Sequence, residues 1–170
     1  MRIHPADLKE GDIVVWKGGG PFYQVLSWIL IIFDKKSGWD RWGWHTGFVI
    51  DVRSDGAVST CQAVTPRLCV VNYPSLEAMG NFRAYRWLDK IDSGITRAYL
   101  AERIGWYYDP FVYFWTLFEF FWNFRISNKK LMCWENVSEY CDRQGKPLQE
   151  DYEPCILSRM IRKMEDYQPG

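Results

Sequence analysis

The sequence predicts an α+β domain in which a small antiparallel sheet packs against helices drawn from both ends of the chain. Short apolar runs bounded by turn residues recur between positions 11 and 88. Segments with helical spacing lie between the first two of these runs, at 22–33, and after the last, from 95 onward. The length, 170 residues, suits one domain with a substantial core. No internal repeat or linker divides the chain, so residues 1–170 are read as a single domain with a core at about 8–147 and a C-terminal tail at 148–170.

Residues 11–16 form an apolar run after the charged Lys9 and Glu10, as a buried strand does. Gly18, Gly19, Gly20 and Pro21 end it, and 22–33 reads as an apolar helix followed by a polar loop at 34–43. The next strand, 44–52, alternates: Phe48, Ile50 and Val52 share one face, and His45, Gly47 and Val49 the other. Ser54, Asp55 and Gly56 signal a turn, and 57–64 returns as the second arm of a hairpin. Further strands are expected at 68–72 and 85–88, and helices at 95–104 and 111–124. The strongest helix is 131–143, where Cys133, Val137, Tyr140 and Cys141 fall on one face. Ser127 or Asn128 is placed to cap it, and Gly145 before Pro147 to end it.

Composition excludes several function classes. Twenty-one basic residues balance 21 acidic ones, which leaves no electrostatic footprint for a nucleic acid. Five cysteines without a C-x-x-C pair, beside only two histidines, argue against a disulfide framework and a structural zinc site, and no cofactor is expected. Reduced thiols and an N-terminus without an apolar signal core point to the cytoplasm. Aromatic residues are the outlier, at 18% with ten Trp, which indicates a thick core or an apolar ligand site. The fourteen-residue stretch 111–124 carries Glu119 and falls short of the roughly twenty apolar residues of a membrane span, leaving contact with a membrane surface open.

The chemistry-bearing candidates are a cysteine and a histidine. A thiol nucleophile needs thiolate character, a base and donors for a developing oxyanion. A helix N-terminus supplies the first and last through its dipole and its free N–H groups. Of the five cysteines only Cys133 is placed there: Cys141 lies two turns deeper, Cys61 and Cys69 lie in strands, and Cys155 follows a proline. Cys133 is therefore expected to react fastest with iodoacetamide. His4 sits in a polar terminus beside Pro5, whereas His45 opens a strong strand. Gly47, two residues on, is expected to leave room for the thiol helix. An even-numbered hairpin loop would set Gln62 opposite Gly47 and diagonal to His45, where its amide oxygen would hold the imidazole. A core thiol and a hydrogen-bonded structural histidine account for the same spacing.

Four segments together resemble the NlpC-type cell-wall peptidases. Gly11-Asp12 resembles their Gly-Asp strand, and His45-Thr46-Gly47 their His-x-Gly strand. The Cys133-Trp134-Glu135 helix start follows both rather than preceding them, as in the permuted branch that includes YiiX-like proteins and relatives of lecithin:retinol acyltransferase. Tyr108-Asp109 is similar to a Tyr-Asp step upstream of the cysteine, and the helical segment at 23–33 also fits. The resemblance covers most of the chain from Leu8 to about Pro147. It implies a circularly permuted papain-like fold, with the sheet packed against a C-terminal catalytic helix. It also implies a cysteine hydrolase with Cys133 as nucleophile, His45 as base and Gln62 as orienting residue where relatives more often carry Glu. Tyr108 and Trp134 would lie on the substrate side. The implied substrate is a peptide amide such as a peptidoglycan stem peptide. Alternatives are a lipid or thioester acyl hydrolase or acyltransferase, and a non-catalytic binding module on the same scaffold. The sequence leaves the oligomeric state open, and a cell-wall role without an export signal would need delivery by lysis or a phage particle.

Overall fold

A computed structural model describes residues 1–17, 43–64, 66–107, 133–148 and 157–167. Six strands form one sheet: β1 (Arg2–Ile3), β2 (Ile13–Lys17), β3 (Gly43–Val52), β4 (Val58–Val64), β5 (Arg67–Tyr73) and β6 (Phe82–Tyr85). They lie in the order β1-β6-β2-β3-β4-β5, and every neighbouring pair is antiparallel. Three α-helices complete the described residues: α1 (Ser93–Arg103), α2 (Cys133–Arg143) and α3 (Leu157–Asp166). The α+β class and antiparallel sheet expected from the sequence are present. The helices expected at 22–33 and 111–124, and the caps Ser127 and Asn128, lie outside the described residues.

Alternation along the strands sorts the apolar side chains onto two faces. One face carries Ile13, Val15, Phe48, Cys61, Ala63, Leu68 and Tyr85, and it is buried beneath all three helices. The ring of Phe48 stacks on Tyr140 of α2 at 3.7 Å between centroids, and Tyr99 of α1 meets both rings edge-on. Such ring pairs contribute about 0.5–1.5 kcal/mol each beyond the area they bury. The opposite face carries Val14, Val49, Val58 and Ala84 under a smaller cluster with Leu8 and Met79.

Three boundaries differ from expectation. The last strand runs over Phe82–Tyr85 rather than 85–88; Trp87 and Leu88 leave the sheet to join the helical core, where the indole N–H of Trp87 donates to the Lys146 carbonyl at 3.0 Å. The segment expected as a tail contributes α3, whose Met160, Ile161 and Met164 are buried in the main core. Its carbonyl at Met164 also accepts from the Met1 amine. The third difference is a β-bulge between Val49 and Asp51. It turns Val52 away from Phe48 and Ile50 and packs it with Val49 instead.

Helix ends follow local chemistry. Asp92 caps α1, its carboxylate accepting from the N–H groups of Gly94 and Ile95 at 2.7 and 3.2 Å. Beyond α2, Gly145 N–H donates to Asp142 and Lys146 N–H to Cys141, closing the last turn as expected. The Gly-Asp pair also has a structural explanation. Gly11 adopts φ +81°, and a Cβ there would strike Ile91. Asp12 is almost wholly buried and accepts a two-pronged hydrogen bond from the Arg86 guanidinium at 2.8 and 2.9 Å, with the Lys9 N–H at 2.7 Å. This pair ties the entry of β2 to the exit of β6. Arg86→Leu strands a buried carboxylate, so unfolding free energy from urea titration is expected to fall by roughly 3 kcal/mol.

Candidate functional site

His45 and Gln62 come together on the face turned away from the main helical core. In β3 and β4 the register is Gly47↔Gln62 and Phe48↔Cys61. That arrangement aims Gln62 diagonally at His45, and its Oε1 lies 2.9 Å from the imidazole Nε2. The register matches expectation, but the turn does not produce it. Nearer the turn the pairs are Val52↔Val58 and Asp51↔Ser59, with Arg53 N–H donating to the Ala57 carbonyl. Continued without interruption, that pairing would set Gln62 opposite Phe48 and turn it into the helical core. The extra residue at the bulge corrects the register by one.

Gly47 serves Gln62 rather than the thiol helix. A Cβ at this position would lie 2.5 Å from the Cys61 carbonyl oxygen and 2.9 Å from Gln62 Cγ. The expectation that it clears space for α2 is therefore corrected: α2 packs on the other face, through Tyr140 on Phe48. The missing side chain lets Gln62 cross the strand to reach His45.

Further groups surround the pair. The Gln62 amide nitrogen donates to Thr60 Oγ1 at 2.7 Å and to Tyr73 Oη at 2.8 Å. The Trp16 ring lies between its neighbours, 5.3 Å from the imidazole and 6.4 Å from the Tyr73 ring. Its own N–H donates to the Met79 carbonyl at 3.0 Å, which holds the indole in place. Trp16, Thr60 and Tyr73 are not among the residues expected from the sequence at this site. Thr60 carried a usable signal, being a polar residue two positions before Gln62 and so on its face. Finding Tyr73 and Trp16 required the pairings with the neighbouring strands. Burial lowers the His45 pKa below its ordinary value, and the Gln62 hydrogen bond only partly opposes this, so the ring is neutral at neutral pH.

Cys133 opens α2 and approaches the same strand from its other side. The pairing of β3 with β4 ends at Gly47↔Gln62. The next amide, that of Thr46, is among the backbone amides near the Cys133 thiol that favour its charged form, with those of Trp134 and of Cys133 itself. The thiol thus lies near the residue that follows His45. No hydrogen bond joins thiol and imidazole among the described residues. The helix N-terminus does not yield the depressed thiol expected from the sequence. Cys133 is 1% exposed, and burial outweighs the nearby backbone amides, pushing its pKa up to about 11. At rest the thiol and the ring are both neutral.

Trp134 turns into the core and is 8% exposed, with its indole N–H lacking a partner among the described residues. Asn136, one turn into the helix, accepts from the Tyr99 hydroxyl at 2.9 Å and receives the Cys61 thiol at 4.0 Å. Cys141 is core, with burial raising its thiol, and burial likewise pushes Cys61 up to about 12. Of the four described cysteines Cys69 is the most open. His4 is exposed and accepts from Ala6 N–H at 3.3 Å. Tyr108 and Cys155 lie outside the described residues. Among the described residues no three His, Cys, Asp or Glu side chains converge as a metal site, and no helix is long and apolar enough to cross a membrane. Comparison of the chain with protein-family models, curated proteins and solved structures finds no match.

Two outcomes are expected. With its folded pKa below the unfolded value of about 6.5, His45 takes up its proton more readily in the unfolded chain. Stability is therefore lost as pH falls below about 6.5 toward the folded pKa and recovered on return to neutrality. Urea midpoints across that window should show the slope, and His45→Gln should flatten it. Burial also reverses the labelling order expected from sequence. Brief iodoacetamide treatment of the native protein should modify Cys69 ahead of Cys133, as read by peptide mass spectrometry.

Proposed function

We propose that the chain is a thiol hydrolase of the permuted papain-like type, cleaving an amide bond in a peptide through Cys133 and His45. The observation that carries this reading is the meeting of two elements at one strand end. The His45 ring is held by Gln62 at 2.9 Å, and the Cys133 thiol lies near the amide of Thr46, the very next residue. A base tethered at one nitrogen, with a thiol at a helix N-terminus reaching the same strand end, suits acyl transfer.

The chemistry follows from the resting protonation states. Because the thiol is held neutral, activation takes the form of general-base catalysis rather than a standing ion pair. His45 removes the Cys133 proton as sulfur attacks the carbonyl carbon, and backbone N–H groups at the start of α2 receive the oxyanion. The imidazolium returns the proton to the departing amine, leaving a thioester. Water, deprotonated by His45, adds to the thioester, and the thiol leaves with that proton as the acid is released. The substrate envisaged is a short peptide such as a peptidoglycan stem peptide. Gln62 orients the ring but lends no charge to the imidazolium.

One observation favours a second reading, a binding module that keeps the scaffold without turnover: the near-complete burial of Cys133 and its raised pKa. A panel of muropeptides and acyl esters separates the readings. Release of an amine from a peptide, abolished by Cys133→Ala and by His45→Ala with melting temperature retained, is the expected result. Turnover of esters or thioesters alone would move the assignment to acyl-chain substrates. Peptide binding without turnover, unaffected by Cys133→Ala, would establish the binding module and overturn the hydrolase.

A further inference from the structure

The Gln62 side chain presents a puzzle of orientation. An amide offers an acceptor at one end and two donors at the other, so either end can face an imidazole nitrogen. With the oxygen toward His45, Nε2 carries the hydrogen and Nδ1 keeps its lone pair. With the amide reversed, Nε2 becomes the acceptor and Nδ1 is protonated, leaving no free base on that side of the ring. The groups behind Gln62 decide between these states.

Thr60 is fully buried, and its hydroxyl has one hydrogen. That oxygen lies 3.5 Å from the Val71 carbonyl, which can only accept, and 2.7 Å from the Gln62 nitrogen. Giving its hydrogen to Val71 leaves Thr60 as an acceptor, so the amide must present its N–H. The Tyr73 hydroxyl, 2.8 Å from the same nitrogen, accepts the second amide hydrogen. Reversing the amide would demand the single Thr60 hydrogen twice, from Val71 and from Gln62.

We propose that Thr60 and Tyr73 are positioning residues that fix the Gln62 amide and thereby hold His45 in the Nε2–H tautomer with Nδ1 unprotonated. The assignment of Nδ1 as the working base rests on the hydrolase reading; the tautomer itself does not. No exchange of protons with substrate is asked of either residue. The chain of hydrogen bonds runs from His45 through Gln62 and Thr60 to the β5 backbone at Val71, so the strand pairing β4–β5 sets the protonation pattern of a ring on β3.

Uniform nitrogen-15 labelling and long-range proton–nitrogen correlation at neutral pH read the tautomer directly, because the chain has two histidines and His4 is the exposed internal control. The parent protein is expected to show His45 with its hydrogen on Nε2. In the double variant Thr60→Val with Tyr73→Phe, that pattern should give way to a mixture, while His4 stays unchanged. Adding Gln62→Glu to the double variant should restore it, since a carboxylate has no donor end and needs no orienting. A purely structural role for Thr60 and Tyr73 would not be rescued by that change. In a peptide assay the double variant should lose kcat by on the order of a hundredfold, the scale expected of a misoriented base, with KM little changed. Hydrogen on Nδ1 in the parent, or an unaltered Nε2–H pattern in a folded double variant, would overturn the proposal. The expected tautomers without turnover of any substrate would support the positioning and overturn the hydrolase reading instead.

Discussion

The register of β3 against β4 is the constraint on which the rest of the site depends. Side chains alternate at every residue, so a shift of one position exchanges the two faces of a strand. Near the turn, Val52↔Val58 sets one phase, and the bulge between Val49 and Asp51 converts it to the phase of Gly47↔Gln62. Each face then receives what it can accommodate. Phe48 and Cys61 go under α2, where Tyr140 and Asn136 meet them. Gln62 and Thr60 go to the side of His45, where a connected set of polar groups satisfies them. Without the bulge a glutamine amide would enter an aromatic core without partners, an arrangement that costs several kcal/mol.

The two candidate reacting groups reach the same strand end from opposite sides of the sheet. Their common point is the Thr46 amide, which follows His45 in the chain and lies near the Cys133 thiol. This placement explains the balance of forces at the thiol. N–H donors and a helix N-terminus favour the thiolate, and burial opposes it. With the sulfur 1% exposed, burial dominates. The same desolvation lowers the His45 pKa, so both groups rest in their neutral forms.

Motif residues divide their labour between chemistry and architecture. Asp12, in the Gly-Asp strand, takes the Arg86 fork and two strand ends with it, and makes no contact with the imidazole. Gly11 supplies a left-handed turn and Gly47 a passage for a neighbouring side chain. Short motifs of this type are visible in a sequence because backbone geometry tolerates few substitutes. The reason for each is visible only from the atoms that would collide.

Much of the secondary structure was legible in the sequence. Period-two alternation marked β3, the turn residues at 54–56 marked β4 as its return, helical spacing marked α1 and α2, and Gly145 marked where α2 stops. These depend on neighbours a few residues apart, so local pattern suffices. That Gln62 lies within reach of His45 and that Cys133 stands at a helix start was legible in a similar way, from residue types at strand and helix positions. Tertiary structure alone decided the rest. It set the bulge that aims Gln62, joined Thr60, Tyr73 and Trp16 to the histidine, and drew the expected tail into the core as α3. It also decided the protonation of Cys133, because desolvation depends on atoms distant in the chain that close over the sulfur. Sequence by itself determined which groups were available and roughly where on their elements they stood. Their register, their burial and their resting charge required the packed chain, since each is a property of non-local neighbours.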